Sequence, residues 1–185
     1  MSRFAQGPTP GSPADQGPDA DPVEVARAIC LRQLTAGPRS RAQLARALAG
    51  KGVPDQAAQV VLDRFTEVGL IDDAAFAQAW VESRHRGRGL SRRALAHELR
   101  ARGVEAADQD VALSVVDADS EAAAARMLVD RKLPGTRGLD PAARARRLFG
   151  MLARKGYPSG LAMRVVREAL AADGAVTPEI DLMDR

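Results

Sequence analysis

The chain has 185 residues, 45% of them apolar and only 3% aromatic, with a formal charge of +3 and a sequence pI near 9.6. A single cysteine, Cys30, excludes an internal disulfide framework and a cysteine-based metal site. No run approaches the roughly 20 apolar residues of a membrane span, and the N-terminus lacks the apolar core of a signal peptide. A soluble, cytoplasmic protein is therefore expected. β-Branched runs are limited to pairs such as Val60-Val61, Val115-Val116 and Val165-Val166, while Ala and Leu abound. That balance predicts an all-α fold with small, alanine-lined helix contacts.

Residues 1–22 hold five prolines and three glycines and few large apolar side chains. They are read as a disordered leader. A first helix begins near Val23, with Ala26, Cys30 and Leu34 on one face, and Gly37-Pro38 stops it. Ser40-Arg41-Ala42-Gln43 fits a capping box that opens a second helix through Leu44 and Leu48. A third follows Pro54-Asp55, with Ala58, Val61, Phe65 and Val68 expected inward. Asp72 and Asp73 supply a cap and a first-turn acid for the next helix, on which Phe76 and Trp80 share a face. Gly87 and Gly89 are expected to end it, and Ser91 to cap a helix through Leu95 and Leu99. Further on, Leu133-Pro134-Gly135 and Gly138 predict a loop. Asp140-Pro141 restarts a helix, and the last helix runs from Ser159 to Asp173-Gly174. Residues 173–185 are read as an acidic, frayed tail.

One pattern recurs about every 50 residues. Leu44, Leu48 and Lys51-Gly52-Val53 become Leu95, Leu99 and Arg102-Gly103-Val104, then Leu148, Leu152 and Lys155-Gly156-Tyr157. A helix precedes each copy, carrying Cys30 and Leu34, then Phe76 and Trp80, then Met127 and Leu128. Another follows, with Val61, Val115 and Val166 near its middle. These are three tandem three-helix repeats, over 23–69, 70–119 and 120–172. A unit this small buries little surface alone, so stacked units are expected to bury one another's faces in an elongated, curved array. The cation before each glycine is explained by the negative end of a helix dipole, and the glycine by a left-handed cap.

Charge is distributed in blocks. Six acids and no base lie between Glu105 and Glu121, and nine bases against two acids between Arg126 and Lys155. Such blocks suit a protein or nucleoprotein partner. Catalytic chemistry finds no support. There is no phosphate-binding loop of the G-x4-G-K-[ST] type. His85 lies among arginines, His97 points away from the apolar seam, and neither has metal-ligand spacing. Adjacent Asp72 and Asp73 do not face each other on a helix. No enzyme activity, cofactor, metal or small-molecule substrate is expected. Phosphate contact is possible through two arginine groups: Arg84, Arg86, Arg88, Arg92, Arg93, Arg100 and Arg102, and Arg144, Arg146, Arg147 and Arg154. Phe65, Phe76, Trp80, Leu95, Leu99, Leu148 and Leu152 are the candidate core. Ser40–Phe65 and Ser91–Val116 also have the rhythm of a helix-turn-helix, which keeps open a duplex-DNA-binding transcriptional regulator. A plain protein-binding scaffold is a third option.

The run Leu70-Ile71-Asp72-Asp73-x2-Phe76-Ala77-x2-Trp80-x3-Arg84, with Gly87-x-Gly89, Leu95-x3-Leu99 and Gly103-Val104 after it, resembles the signature of the RecX regulatory proteins. The resemblance extends over about Val23 to Ala172. It implies a non-enzymatic, monomeric modulator of DNA repair and the SOS response. Such a protein binds the RecA–single-stranded-DNA filament and inhibits the recombinase, ATPase and co-protease activities of RecA. The partners so implied are the RecA filament and the single strand within it, without a membrane. The proline-rich leader and the loop over 134–138 depart from a minimal family pattern.

Overall fold

The computed structural model describes residues 21–174, so most of the leader and nearly all of the tail lie outside the described residues. Within that span the chain is all-helical. The first triplet comprises α1 (Pro22–Ala36), α2 (Arg41–Ala49) and α3 (Asp55–Glu67). The second comprises α4 (Asp73–Arg88), α5 (Arg92–Ala101) and α6 (Ala106–Leu113). The third comprises α7 (Ala118–Lys132), α8 (Pro141–Arg154) and α9 (Ser159–Ala172). The expected loop after α7 begins instead as a short 3-10 helix, Leu133–Thr136.

Local chemistry sets the boundaries. Asp21, Ser40, Asp72, Ser91, Asp117 and Asp140 each accept a backbone N–H of the helix they open. Ser40 and Gln43 complete a reciprocal capping box. The second helix of every triplet ends in the same turn: Val53, Val104 and Tyr157 donate their N–H to Leu48, Leu99 and Leu152, each at 3.2 Å. That six-residue closure needs a left-handed residue, supplied by Gly52, Gly103 and Gly156 with φ of 72°, 75° and 87°. Gly87 lies inside α4, whose left-handed cap is Gly89 alone.

Each triplet has its own core, so the apolar faces are satisfied inside a repeat rather than between repeats. The leucine pairs Leu44/Leu48, Leu95/Leu99 and Leu148/Leu152 are all essentially inaccessible. Each leucine contributes about 1.5–3 kcal/mol of burial to its unit. Phe65 and Phe76 are buried, but Trp80 is only half-buried. Val68, expected inward, is exposed, and so are Val115, expected near the middle of its helix, and Met127. Val68 follows the end of α3, Val115 follows the end of α6, and Met127 lies one residue off the buried face set by Ala125, Leu128 and Val129. Leu62, Leu113 and Val116 fill the inward positions instead.

Repeats meet at two narrow, mostly polar junctions, which is not the broad burial the repeat pattern predicts. The N-terminus of α2 abuts the C-terminus of α5. Ser40 Oγ donates to the Arg102 carbonyl at 2.6 Å, Arg46 donates to the Ala101 carbonyl, and the Arg41 N–H donates to Asp73 Oδ1 at 2.8 Å. The N-terminus of α5 abuts the C-terminus of α8 in the same way. Ser91 N–H donates to the Lys155 carbonyl at 3.0 Å, and Arg92 N–H to Glu121 Oε1 at 2.9 Å. The second helices thus meet head to tail, the N-terminus of one against the C-terminus of the next, so that opposite dipole ends face each other at each junction.

Candidate interaction surface

The arginines singled out from the sequence divide into a working scaffold and a free surface. Trp80 is where the scaffold is densest. Its ring stacks on Phe76 with centroids 5.9 Å apart. Arg102 lies over the ring at 3.5 Å and Arg84 at 4.2 Å. The indole N–H donates to Glu98 Oε2 at 2.7 Å. Cation–π contacts of this kind contribute about 0.5–2 kcal/mol each. The Nε atoms of Arg84 and Arg102 are buried without a hydrogen-bond partner, and burial lowers the pKa of Arg102, with the Glu98 charge opposing that shift. Arg84 and Arg102 therefore hold the ring rather than face solvent freely.

Arg92 is also engaged. Its guanidinium donates to the carbonyls of Leu113 and Val116, closing the C-terminal end of α6. Arg144 corrects the sequence-based expectation most clearly. It is 7% exposed, its Nη2 donates to Asp173 Oδ2 at 2.5 Å, and its Nε donates to Thr136 Oγ1. It lies at the fourth position of α8 and points into the triplet, so it ties α8 to the end of α9. Hydrogen bonds from Arg144 and then Arg137 hold the Asp173 carboxyl below its usual range.

Arg88, Arg93, Arg100, Arg146, Arg147 and Arg154 are exposed and carry no ion pair among the described residues. Arg86 is exposed and paired with Glu82 one helical turn away at 2.6 Å. Such an exposed pair is worth well under about 1 kcal/mol and opens readily to a partner. His85 does not join a charged site; its Nδ1 lies 2.9 Å from the Leu90 carbonyl.

Sequence reasoning overlooked Arg131, Lys132 and Lys155. They converge with Arg147 and Arg154 around a cleft of about 400 Å³ between α7 and α8. Lys155 reaches across the second junction to the Arg88 carbonyl. A signal for them exists in the repeat: Lys132 and Lys155 occupy the positions that Arg84 and Arg102 hold in the preceding unit. The opposite charge gathers at the first junction, where Asp72, Asp73, Glu105 and Asp108 share one cleft with Arg41. Burial raises the pKa of Asp73 despite the N–H it accepts from Arg41, and Asp108 and Glu105 raise it further. No group of three His, Cys, Asp or Glu side chains among the described residues is placed to hold a metal ion. No helix among them is long and apolar enough to cross a membrane.

Comparison with known proteins returns the same three units. The first three-helix domain of RecX matches residues 26–65, the second 72–113 and the third 119–166. The regulatory protein RecX of Streptomyces coelicolor is 62% identical over 175 residues, spanning 94% of this chain and 93% of that protein. The RecX of Thermobifida fusca is 56% identical over 167 residues, with 89% of each chain covered. The crystal structure of RecX from Lactobacillus salivarius superposes with a TM-score of 0.70 at 14% identity, over 80% of this chain and 97% of that one. Matches over all three triplets, at this identity and nearly full length, establish that the chain belongs to the RecX family of regulatory proteins.

Proposed function

We propose that this protein is a non-enzymatic regulator that binds the RecA–single-stranded-DNA filament and inhibits the recombinase, ATPase and co-protease activities of RecA. The observation that carries the reading is the head-to-tail run of α2, α5 and α8. Their 9, 10 and 14 residues correspond to about 50 Å of helical rise. Along that run, free arginines recur on the second and third helices, at Arg93 and Arg100 of α5 and at Arg146, Arg147 and Arg154 of α8, while on α2 Arg41 pairs with Asp63 and Arg46 bonds the Ala101 carbonyl. A long, repetitive, basic surface matches a long, repetitive, acidic target better than it matches a compact one.

A duplex reader built on either helix-turn-helix segment would insert α3 or α6 into a groove. The first turn of α3 carries Asp55, and α6 carries Asp108 and Asp110 behind Glu105. Those carboxylates would face phosphates, which opposes a helix-turn-helix transcriptional regulator.

The test is the ATPase rate of the cognate RecA on single-stranded DNA, titrated with this protein. Inhibition at far below one copy per RecA is expected. An unchanged rate at stoichiometric protein, with filament assembly verified, would overturn the reading. Reversal of Arg88 and Arg93 to Glu should weaken inhibition while leaving helicity intact. Arg92 is left out of that variant because it closes α6.

A further inference from the structure

Equivalent positions of the three repeats form one slot beside the second helix, and each repeat fills it differently. In the second repeat the slot is closed: Trp80 occupies it, Arg84 and Arg102 clasp the ring, and Glu98 accepts the indole N–H. In the first repeat the same four positions are Ile29, Gln33, Ala47 and Lys51, leaving one cation. In the third repeat they are Leu128, Lys132, Met151 and Lys155. Leucine replaces the indole, so the slot opens into the cleft of about 400 Å³. Methionine replaces the glutamate, so no carboxylate neutralises the cations.

Five cations ring this cleft. Arg131 and Lys132 come from the end of α7, Arg147 and Arg154 from α8, and Lys155 from its cap. None of the five forms an ion pair among the described residues. Lys155 is half-buried and its ammonium is fixed on the Arg88 carbonyl. Desolvation, then the charges of Arg131 and Arg88, lower its pKa. An arriving anion offsets the repulsion among these cations.

We propose that this cleft is a phosphate-binding site for the backbone of single-stranded DNA. The proposal rests on the filament reading and deepens it by assigning the strand contact to the third repeat. Five cations around one opening exceed what a single carboxylate requires, and arginine forks match phosphate oxygens in pairs. The floor, Leu128 and Met151, is aliphatic. It can pack against sugar but offers no ring for base stacking, so recognition is of the backbone and indifferent to sequence.

Binding of fluorescein-labelled oligo(dT) to the full chain, followed by anisotropy over a salt series, tests the assignment. Two variants should each weaken binding tenfold or more: Arg147→Glu with Arg154→Glu, and Met151→Glu, which restores the carboxylate of the second repeat. The double variant should also lower the magnitude of the log–log salt slope by roughly 1.4, at ~0.7 per lost contact. Arg164→Glu with Arg167→Glu, exposed on α9 and outside the cleft, makes the same change in net charge and should bind as the parent does. Circular dichroism checks that all variants remain folded. Equal losses in the α9 variant and the cleft double variant would mean bulk charge and overturn the site. So would absence of oligo(dT) binding by the parent protein at low salt. Displacement of the strand by equimolar pyrophosphate would assign the cleft to a free polyphosphate instead. RecA ATPase inhibition is read separately: a parent that inhibits while the cleft variants bind oligo(dT) normally refutes the site but not the function.

Discussion

The outer and inner ends of the second helices make an instructive contrast. Gly52, Gly103 and Gly156 close the same turn with nearly the same backbone angles. Around Gly52 there is open space, since a side-chain carbon there would meet nothing within 4 Å. At Gly103 that carbon would lie 2.4 Å from Ala42 Cβ, and at Gly156 2.6 Å from Ser91 Oγ and 2.8 Å from Ala94 Cβ. One sequence motif therefore does one job at the start of the array and two jobs inside it. Everywhere it caps a helix; inside, it is also the seat on which the previous repeat docks. At the other end, α8 begins with Asp140-Pro141. In the register of Leu44, Leu95 and Leu148, the position held by Ser40 and Ser91 is Arg144, which turns inward to Asp173 instead of bonding a neighbouring repeat.

Alanine at these glycines separates the two jobs. The left-handed turn costs an L-residue about 1–2 kcal/mol wherever it occurs. Overpacking at a junction adds about 1–3 kcal/mol. Gly103→Ala and Gly156→Ala should therefore lower stability by roughly 2–5 kcal/mol on those two terms, and Gly52→Ala by the strain alone. Thermal unfolding of the three variants checks this. Equal losses would mean that the junctions are not seated as described.

The division into three triplets, the leucine pairs and the glycine turns are legible because they follow helical periodicity and capping rules within about 15 residues. What joins the triplets is not. Ser40 reads as an N-cap, and it is one, but nothing local announces that its hydroxyl also reaches a carbonyl 62 positions away. Arg144 shows the same limit: in sequence it is one more arginine near Arg146 and Arg147, and only the return of α9 makes it a buried partner of Asp173. Trp80 lies on the expected face, but the sequence does not reveal that arginines rather than aliphatic residues would cover it. The basic cleft was hidden because the cation before each glycine has an adequate local explanation in the helix dipole. Aligning the repeats by slot, instead of by motif, is what exposes the difference between Glu98 and Met151.

The two serines sharpen the contrast between the junctions. Ser40 has its N–H bound by Gln43, so its hydroxyl bridges to the next repeat. Ser91 has Ala94 at the corresponding position, so its own N–H bridges to Lys155 and its hydroxyl only caps α5. Ser91→Ala removes a cap, for about 1 kcal/mol. Ser40→Ala removes a cap and a junction bond, for about 2 kcal/mol. If the order is reversed in denaturant unfolding, the two junctions are not closed by different atoms.

Tyr157 gives the smallest effect and the one that depends on pH. It is 2% exposed, and its hydroxyl donates to the Gly89 carbonyl at 3.1 Å, across the second junction only. Burial, then the Glu121 charge, push its pKa from 10.0 up to about 12. The folded state thus retains a proton that the unfolded chain releases. The stability from this group is fully present below pH 10 and is lost as pH rises toward about 12. Tyr157→Phe deletes the bond at neutral pH, for about 1 kcal/mol, and should flatten the decline above pH 10. The first junction has no equivalent, because Val104 stands where Tyr157 does. Denaturant unfolding of the parent and of Tyr157→Phe on either side of pH 10 checks this pH dependence. An unchanged alkaline profile in Tyr157→Phe would assign the high-pH loss to groups other than this phenol.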